Sequence, residues 1–208
     1  MKLKQNDKIV FFGDSVTDTC HQVKSEYPLG SGYVLMVNNH INTNFCDLNI
    51  QIYNKGINGN RTKDLVARLQ EDVLDLHPNF VFILIGVNDA WRGWDQNDPT
   101  SVEQFIKNYK TILDGIKNTN PNTQIVMMTP FLITSIEWVL AFKEDLDEKT
   151  KAIIELAKEY QLPLIPLHEL MPQYEHQLPL NMVSNDGIHP SIVGHALIAD
   201  QVLKYLLG

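Results

Sequence analysis

The stretch Phe80-Val81-Phe82-Ile83-Leu84-Ile85 consists of six consecutive apolar residues. Because successive side chains of a strand point to opposite faces of its sheet, a strand of this composition has to be covered on both faces. Strands of that kind occur in parallel sheets, where helices pack on each side. The stretch therefore predicts a strand in the middle of a parallel sheet, and with it an α/β fold.

Short apolar runs alternate with segments of helical period along the rest of the chain, which is typical of parallel strands joined by crossover helices. The predicted strands are 8–13, 49–54, 79–86, 124–130 and 162–167, and the predicted helices are 32–41, 62–76, 101–118, 143–160 and 191–207. We expect a three-layer, flavodoxin-like sandwich with a five-stranded sheet in the order 2-1-3-4-5. Residues 1–208 are expected to form one domain, with 91–100 as its most loop-like part.

The composition is that of a globular protein, because 44% of the 208 residues are hydrophobic and 20% are charged. No stretch approaches the roughly 20 apolar residues that cross a bilayer, and residues 1–8 do not resemble a signal peptide. We therefore expect a cytoplasmic protein. The net charge of −8 opposes binding to nucleic acid and to anionic membranes. Cys20 and Cys46 are expected to be buried or idle thiols, although two thiols leave room for one disulfide.

Four short segments, far apart in sequence, carry the groups that acyl transfer to water requires. They are residues 13–18, 54–60, 86–89 and 186–190. The first three follow predicted strands one, two and three. Since ligands bind at the carboxyl ends of the strands in open α/β sheets, we expect these segments to lie together at that edge.

Ser15 is the candidate nucleophile in the first segment. A serine hydroxyl needs a base to take its proton and a third group to hold that base. His189 is the candidate base, and Asp186 can orient it. Pro190 suits the first turn of the last helix, so that His189 would lie at a helix N-terminus, which disfavours the imidazolium ion. The alternatives are that Ser15 and His189 are helix caps and that Asp186-Gly187 is only a turn.

Attack on an ester creates an oxyanion, for which three donors are candidates: the backbone N–H groups of Ser15 and Gly59, and the side-chain amide of Asn88. Glycine at 59 allows a close backbone approach or a positive φ. The amide of Asn88 can donate while staying uncharged. The alternatives are a plain turn at residues 58–59 and a cap at Asn88.

Four further residues are candidates for contact with substrate. Trp91, Arg92 and Trp94 follow Asn88 and could floor an acyl pocket or stack on a sugar, the alternative being ordinary loop anchoring. Asp14 is the fourth, although its position also suits a scaffold role in bonding loop amides. No H-E-x-x-H or similar ligand cluster occurs, so we expect neither a metal nor another cofactor.

Four of these residues occur in the order and local context of the SGNH hydrolases, also called GDSL esterases: Ser15, Gly59, Asn88 and His189. The chain resembles this family from Ser15 to His195. The resemblance implies a flavodoxin-like fold and a metal-independent serine esterase that forms an acyl-enzyme on Ser15. Asp186, His189 and His195 could surround a metal, but the chemistry of the family requires none. From its place between Gly194 and Ala196, His195 is expected to pack near the site.

Residues 56–62 and 85–92 are similar to those of bacterial carbohydrate deacetylases such as acetylxylan esterases, which assemble as oligomers. This similarity implies a small-molecule or oligosaccharide ester as substrate and more than one subunit. A lysophospholipase or a short-chain thioesterase is the enzymatic alternative. The non-enzymatic alternative is a flavodoxin-like module that binds a phosphate or nucleotide, but the chain has no G-x-G-x-x-G or G-K-[ST] loop.

Overall fold

Five parallel strands form a single sheet in the computed structural model, which describes residues 1–21, 28–179 and 182–208. The strands are β1 (Lys8–Gly13), β2 (Gln51–Gly56), β3 (Phe80–Leu84), β4 (Gln124–Met128) and β5 (Leu164–Ile165). Their order across the sheet is β2-β1-β3-β4-β5, and each neighbouring pair is parallel. The predicted sheet and its order are thus confirmed.

Helices cover both faces of this sheet. In the described residues they are α1 (Ser15–Asp18), α2 (Tyr33–Asn44), α3 (Thr62–Asp72), α4 (Val87–Asp95), α5 (Val102–Thr119), α6 (Lys143–Glu159), α7 (Leu167–Gln177) and α8 (Ile192–Leu207). Short 3₁₀ helices lie at Cys46–Leu48, Leu74–Leu76 and Glu137–Phe142. Helices α2, α7 and α8 pack on one face and α3, α5 and α6 on the other, which confirms the three layers.

The middle strand β3 is buried on both faces, as its composition predicts. Phe82 stacks on Phe11 of β1 at a centroid distance of 5.1 Å on the α2–α8 face. Val81 and Ile83 point to the opposite layer and are also buried completely. Burying a side chain of this size contributes about 1.5–3 kcal/mol, so β3 anchors both hydrophobic layers.

Three local predictions are wrong. Residues 91–95 belong to helix α4 and not to a loop, because buried Val87 and Ala90 fix the helix against a small apolar cluster. Strand β5 has two residues instead of six, since Pro166 lacks the N–H that a ladder needs. The chain turns at Pro166 into α7, a helix that the sequence pattern does not predict.

The exposure of the cysteines and the polarity of the helices can be compared with the expectations from composition. Both cysteines are free and exposed, so of the expected buried or idle thiols the buried alternative is wrong for Cys20 and Cys46. None of the helices in the described ranges is long and apolar enough to cross a bilayer.

The turn after β1 packs directly against the end of β2. Asn54, which is buried, donates from its side-chain amide to the carbonyl of Thr17 at 2.7 Å and accepts from the backbone N–H of Gly56 at 2.9 Å. A Cβ at Gly56 would overlap the backbone nitrogen of Asp18. Glycine is therefore required at this position by the close approach of two backbones.

We expect Gly56→Ala to lower the free energy of unfolding by about 3 kcal/mol, because neither backbone can move without breaking the Asn54 contacts. Gly93→Ala is the matched control. Gly93 lies in helix α4, and a Cβ there would be 3.4 Å from Pro99, which is an ordinary van der Waals contact. There alanine should be neutral or stabilising by up to about 1 kcal/mol. Urea unfolding measures both variants, and equal midpoints would contradict the close-approach argument.

Candidate active site

Ser15 lies at the start of α1, immediately beyond the carboxyl end of β1. The N-cap of α1 is Asp14, whose side chain accepts a hydrogen bond from the backbone N–H of Val16 at 3.0 Å. The alternative that Ser15 caps this helix is therefore wrong. Because Asp14 satisfies the helix start, the hydroxyl of Ser15 is available to another partner.

That partner is His189, which lies 174 residues further along the chain. The hydroxyl oxygen of Ser15 is 2.9 Å from Nε2 of His189, and Nδ1 of His189 is 2.7 Å from Oδ2 of Asp186. A neutral imidazole that donates from Nδ1 to the carboxylate and accepts at Nε2 satisfies both contacts. This arrangement can move a proton from the Ser15 hydroxyl to His189 while Asp186 holds the ring.

The turn that carries this pair is fixed by its own hydrogen bonds. Oδ1 of Asp186 accepts from the backbone N–H groups of Ile188 at 2.9 Å and His189 at 2.7 Å. Gly187 has a φ of +89°, and its N–H donates to the buried hydroxyl of Ser184 at 2.9 Å. Asp186-Gly187 is thus a turn, and the same turn brings the carboxylate to the histidine ring.

The start of α8 differs from the expectation for Pro190. The helix begins at Ile192, and Ser191 caps it by accepting from the N–H groups of Val193 and Gly194. Pro190 lies before the cap, where it forms an antiparallel bridge with Ser184. His189 is therefore neither a cap nor part of the first turn.

Asp186 dominates the electrostatics of this pair. The hydrogen bond to its carboxylate raises the pKa of His189, against an opposing effect of burial. The expectation that a helix N-terminus keeps the pKa of His189 low is thus wrong, since the pKa is raised and α8 begins only at Ile192. Burial alone would raise the pKa of Asp186, but the hydrogen bonds from the His189 ring and from two backbone N–H groups hold it well below its usual range.

Gly59 lies in a tight turn after β2. The N–H of Asn60 donates to the carbonyl of Ile57 at 3.1 Å, and Gly59 has a φ of +78°. The N–H of Ile57 in turn donates to the carbonyl of Gly13 at 3.1 Å, which ties this turn to the end of β1. Gly59 is therefore a turn residue whose backbone is held beside the segment that carries Ser15.

Asn88 lies in the first turn of α4 and is buried. Its Nδ2 donates to the carbonyl of Asn60 at 3.1 Å, so the side chain contacts the turn that contains Gly59. Gly86 and not Asn88 is the N-cap of α4, which contradicts the alternative that Asn88 caps a strand or helix. The structure thus links all three candidate oxyanion segments through hydrogen bonds.

Asp89 is a buried residue of this region to which sequence reasoning assigned no role. Its carboxylate accepts from the backbone N–H of Thr62 at 3.0 Å and from the Thr62 hydroxyl at 2.7 Å. Burial raises the pKa of Asp89 to about 6, against these hydrogen bonds, which lower it. Asp89 connects the starts of α4 and α3, and its place in the segment 86–89 is the only sequence signal for it.

The four candidate substrate contacts differ in their accessibility. Asp14 is only 1% exposed, and burial raises its pKa to about 7. It has the scaffold position that bonds a loop amide. Trp91 is half-buried beneath Arg92, whose guanidinium lies 4.3 Å from the ring centre. Trp94 is 52% exposed, and it therefore offers the largest free surface of the four.

An aromatic cluster, defined by Trp91, Trp94, Trp138 and Phe142, lies between α4 and the 3₁₀ helix Glu137–Phe142. Sequence reasoning missed Trp138. Its indole N–H donates to the backbone carbonyl of Asp186 at 2.8 Å, and its ring lies 5.2 Å from that of Trp91. The cluster thus connects the helix of Asn88 with the turn of Asp186 and His189.

His195 packs behind the site. It is buried, stacks on Tyr33, and accepts from the Tyr33 backbone N–H at 3.3 Å through Nδ1. Burial lowers the pKa of His195 to about 4, which keeps the ring neutral. Within the described part of the chain, no three His, Cys, Asp or Glu side chains are grouped as metal ligands.

The chain is similar to known proteins over most of its length. The profile of the GDSL-like Lipase/Acylhydrolase family matches residues 11–197. An acetylxylan esterase from Geobacillus stearothermophilus is 31% identical over 211 residues, which cover 98% of this chain and 95% of that protein. Thioesterase 1/protease 1/lysophospholipase L1 from Escherichia coli K12 is 28% identical over 156 residues, which cover 74% of this chain and 66% of that protein.

Solved structures are similar over the whole fold. Three of them are catalytic mutants of an acetylxylan esterase from Geobacillus stearothermophilus, in which a serine, an aspartate or a histidine is replaced by alanine. Each is 27% identical, with a TM-score of 0.87 or 0.88, and covers 100% of this chain and 97% of the solved one. With a family match from residue 11 to residue 197, this chain belongs to the GDSL-like lipase/acylhydrolases and is a carboxylic ester hydrolase.

Proposed function

We propose that the protein is a serine esterase that removes acetyl groups from carbohydrates through an acyl-enzyme on Ser15. The observation that carries this proposal is the unbroken hydrogen-bond chain from Ser15 through His189 to Asp186. The catalytic mutants of the Geobacillus esterase support it, because they replace the same three residue types. There, too, the aspartate and the histidine are three positions apart.

In the first half of the proposed reaction, Nε2 of His189 takes the proton of the Ser15 hydroxyl as Oγ attacks the ester carbonyl. The tetrahedral intermediate then collapses, the bond to the alcohol breaks, and His189 gives its proton to the departing oxygen. Asp186 stays ionised and stabilises the imidazolium ion that exists between these two transfers.

In the second half, His189 takes a proton from water, and the resulting hydroxide adds to the acyl carbon. Collapse releases acetate and returns the proton to Ser15. We assign stabilisation of both oxyanions to the N–H groups of Ser15 and Gly59 and the amide of Asn88. Each such donor contributes about 10²- to 10³-fold in rate.

The small apolar cavity next to the site residues favours a small acyl group. Val16, Val87 and Ile188 each adjoin one of the site residues, and all three are buried. With Asp14, which precedes Ser15, they line a small cavity of about 10 Å³. So little free space favours a short acyl group such as acetyl over a chain of eight carbons.

The exposed part of the aromatic cluster offers a surface for the leaving group. Trp94 is half-exposed and lies 6.1 Å from the half-buried ring of Trp138, which is bonded to the turn of Asp186. Flat aromatic faces pack well against the apolar face of a sugar ring. We therefore assign carbohydrate binding to Trp94, with Trp91 as support through their shared neighbour Trp138.

For the nucleophile, we expect Ser15→Ala to lower kcat by roughly 10³- to 10⁶-fold, because the attacking oxygen is removed. His189→Ala should lose a similar amount, and the double variant should be little worse than either, since the groups act as a unit. Hydrolysis of p-nitrophenyl acetate measures kcat, and unchanged thermal unfolding controls for the fold. Near-normal activity of Ser15→Ala, or resistance of the wild type to a fluorophosphonate, would contradict the assignment.

For the base, we expect kcat/KM to rise with pH through the raised pKa of His189, because only the neutral ring accepts the Ser15 proton. Asp186→Asn removes the carboxylate that raises this pKa. The acid limb of the profile should therefore move to lower pH while the plateau falls. Exposed His176 supplies the control, since His176→Asn should leave the limb in place. An unmoved limb in Asp186→Asn would assign the titration to another group.

For the substrate, kcat/KM should be higher for p-nitrophenyl acetate than for the butyrate or octanoate. In an apolar channel each added methylene would instead contribute up to ~0.8 kcal/mol, so that activity would rise with chain length. Acetate should also be released from an acetylated xylo-oligosaccharide, and Trp94→Ala should raise KM for that substrate more than for p-nitrophenyl acetate. A rise with chain length would favour the lysophospholipase or thioesterase activity for which the Escherichia coli relative is named.

A further inference from the structure

The amide nitrogen of Asn88 faces an acceptor, and its amide oxygen faces a donor. Its Nδ2 donates to the carbonyl oxygen of Asn60 at 3.1 Å, and its Oδ1 accepts from Nη2 of Arg92 at 3.4 Å. A flipped amide would set oxygen against oxygen at Asn60 and donor against donor at Arg92. The contacts therefore select one orientation of a group that could otherwise adopt two.

This orientation leaves one N–H of Asn88 for another acceptor. A carboxamide has two N–H donors, and within the described residues only the one to Asn60 is used. The remaining donor belongs to a buried side chain in the first turn of α4, next to the Gly59 turn. Its direction is set by whatever holds the other end of the amide.

Arg92 is itself held firmly enough to do this. It lies one helical turn after Asn88, on the same face of α4. Nη1 pairs with the carboxylate of Asp95, and the guanidinium lies over the ring of Trp91 at 4.3 Å. Two contacts besides Asn88 thus fix the planar guanidinium of Arg92, whose side chain is only 18% exposed.

We propose that Arg92 is a positioning residue that orients and polarises the Asn88 amide toward the oxyanion. The proposal rests on the proposed function, in which Asn88 donates to that oxyanion. A cation bonded to Oδ1 draws electron density from the amide and makes its N–H groups stronger donors. Because Arg92 acts through Asn88, its effect belongs to the transition state, where negative charge develops, and not to binding of the neutral ester.

A double-mutant cycle with p-nitrophenyl acetate tests this inference. Arg92→Ala should lower kcat by about 10- to 100-fold with KM changed less than about twofold, a smaller loss than the about 10²- to 10³-fold expected for Asn88→Ala. In the Asn88→Ala background, Arg92→Ala should lower kcat by no more than about twofold, because its target is gone. Arg92→Lys should recover part of the activity, since an ammonium keeps the charge but not the fork.

Lys110→Ala is the matched control. It removes a cation that pairs with Glu159 at 2.6 Å between α5 and α6, away from the site, and it should leave kcat unchanged. If Arg92→Ala does not fold, as judged by thermal unfolding, the same cycle is run with Arg92→Lys.

Three results would overturn the inference. They are a rise in KM without loss of kcat, an equal loss in both backgrounds, and normal kcat in Arg92→Ala while Asn88→Ala is impaired. In the last case the proposed function stands and only the role of Arg92 fails. If Asn88→Ala keeps normal kcat while Ser15→Ala is inactive, the oxyanion role of Asn88 fails and the inference fails with it. An active Ser15→Ala would instead refute the proposed function itself.

Discussion

The close approach between the turn after β1 and the end of β2 is the constraint on which the site depends. With one buried side chain, Asn54 bonds the carbonyl of Thr17 in α1 and the N–H of Gly56 at the end of β2. Because buried backbone groups have to be paired, these two hydrogen bonds hold α1 and the end of β2 at a fixed distance from each other. Ser15 begins the first of them and Gly59 follows the second. One buried contact therefore sets the distance between two parts of the site.

Three aspartates around the site differ in environment and hence in what they can do. Asp14 and Asp89 are buried against helix starts, and burial raises their pKa values to about 7 and about 6. Asp186 is half-exposed and has a histidine ring and two N–H groups as partners, so its pKa is lowered and it stays ionised. The first two bond backbone N–H groups at the starts of α1 and α3, whereas the third bonds the ring of His189. Residue type alone does not separate these roles, but hydrogen bonding and burial do.

The sheet was predictable because its signals are local. The run 80–85 specifies a strand covered on both faces without reference to any other segment, and the polar residues that follow the first three strands then meet at one edge. Helix α4 was not predictable in this way. Gly93 and two tryptophans are weak helix formers, and the helix is stabilised by tertiary packing of Val87 and Ala90. Trp138 was missed for a related reason, since its partner carbonyl lies 48 residues away. The environment of His189 was also not predictable, because Pro190 and Ser191 both suit a helix start and the sequence does not show which of them begins α8. In the structure Ser191 is the cap, so His189 lies outside the helix.

The separation of 174 residues between Ser15 and His189 has a consequence for biosynthesis. A ribosome makes the strand, the turn and the serine before it makes the turn of Asp186 and His189. Until α8 packs against α2, the serine has no base and remains an ordinary alcohol. Contacts of such long range also form late in folding. A chain whose synthesis stops before Asp186 would therefore carry an unreactive hydroxyl, and reactivity would arise only in molecules in which α8 and the turn before it have folded.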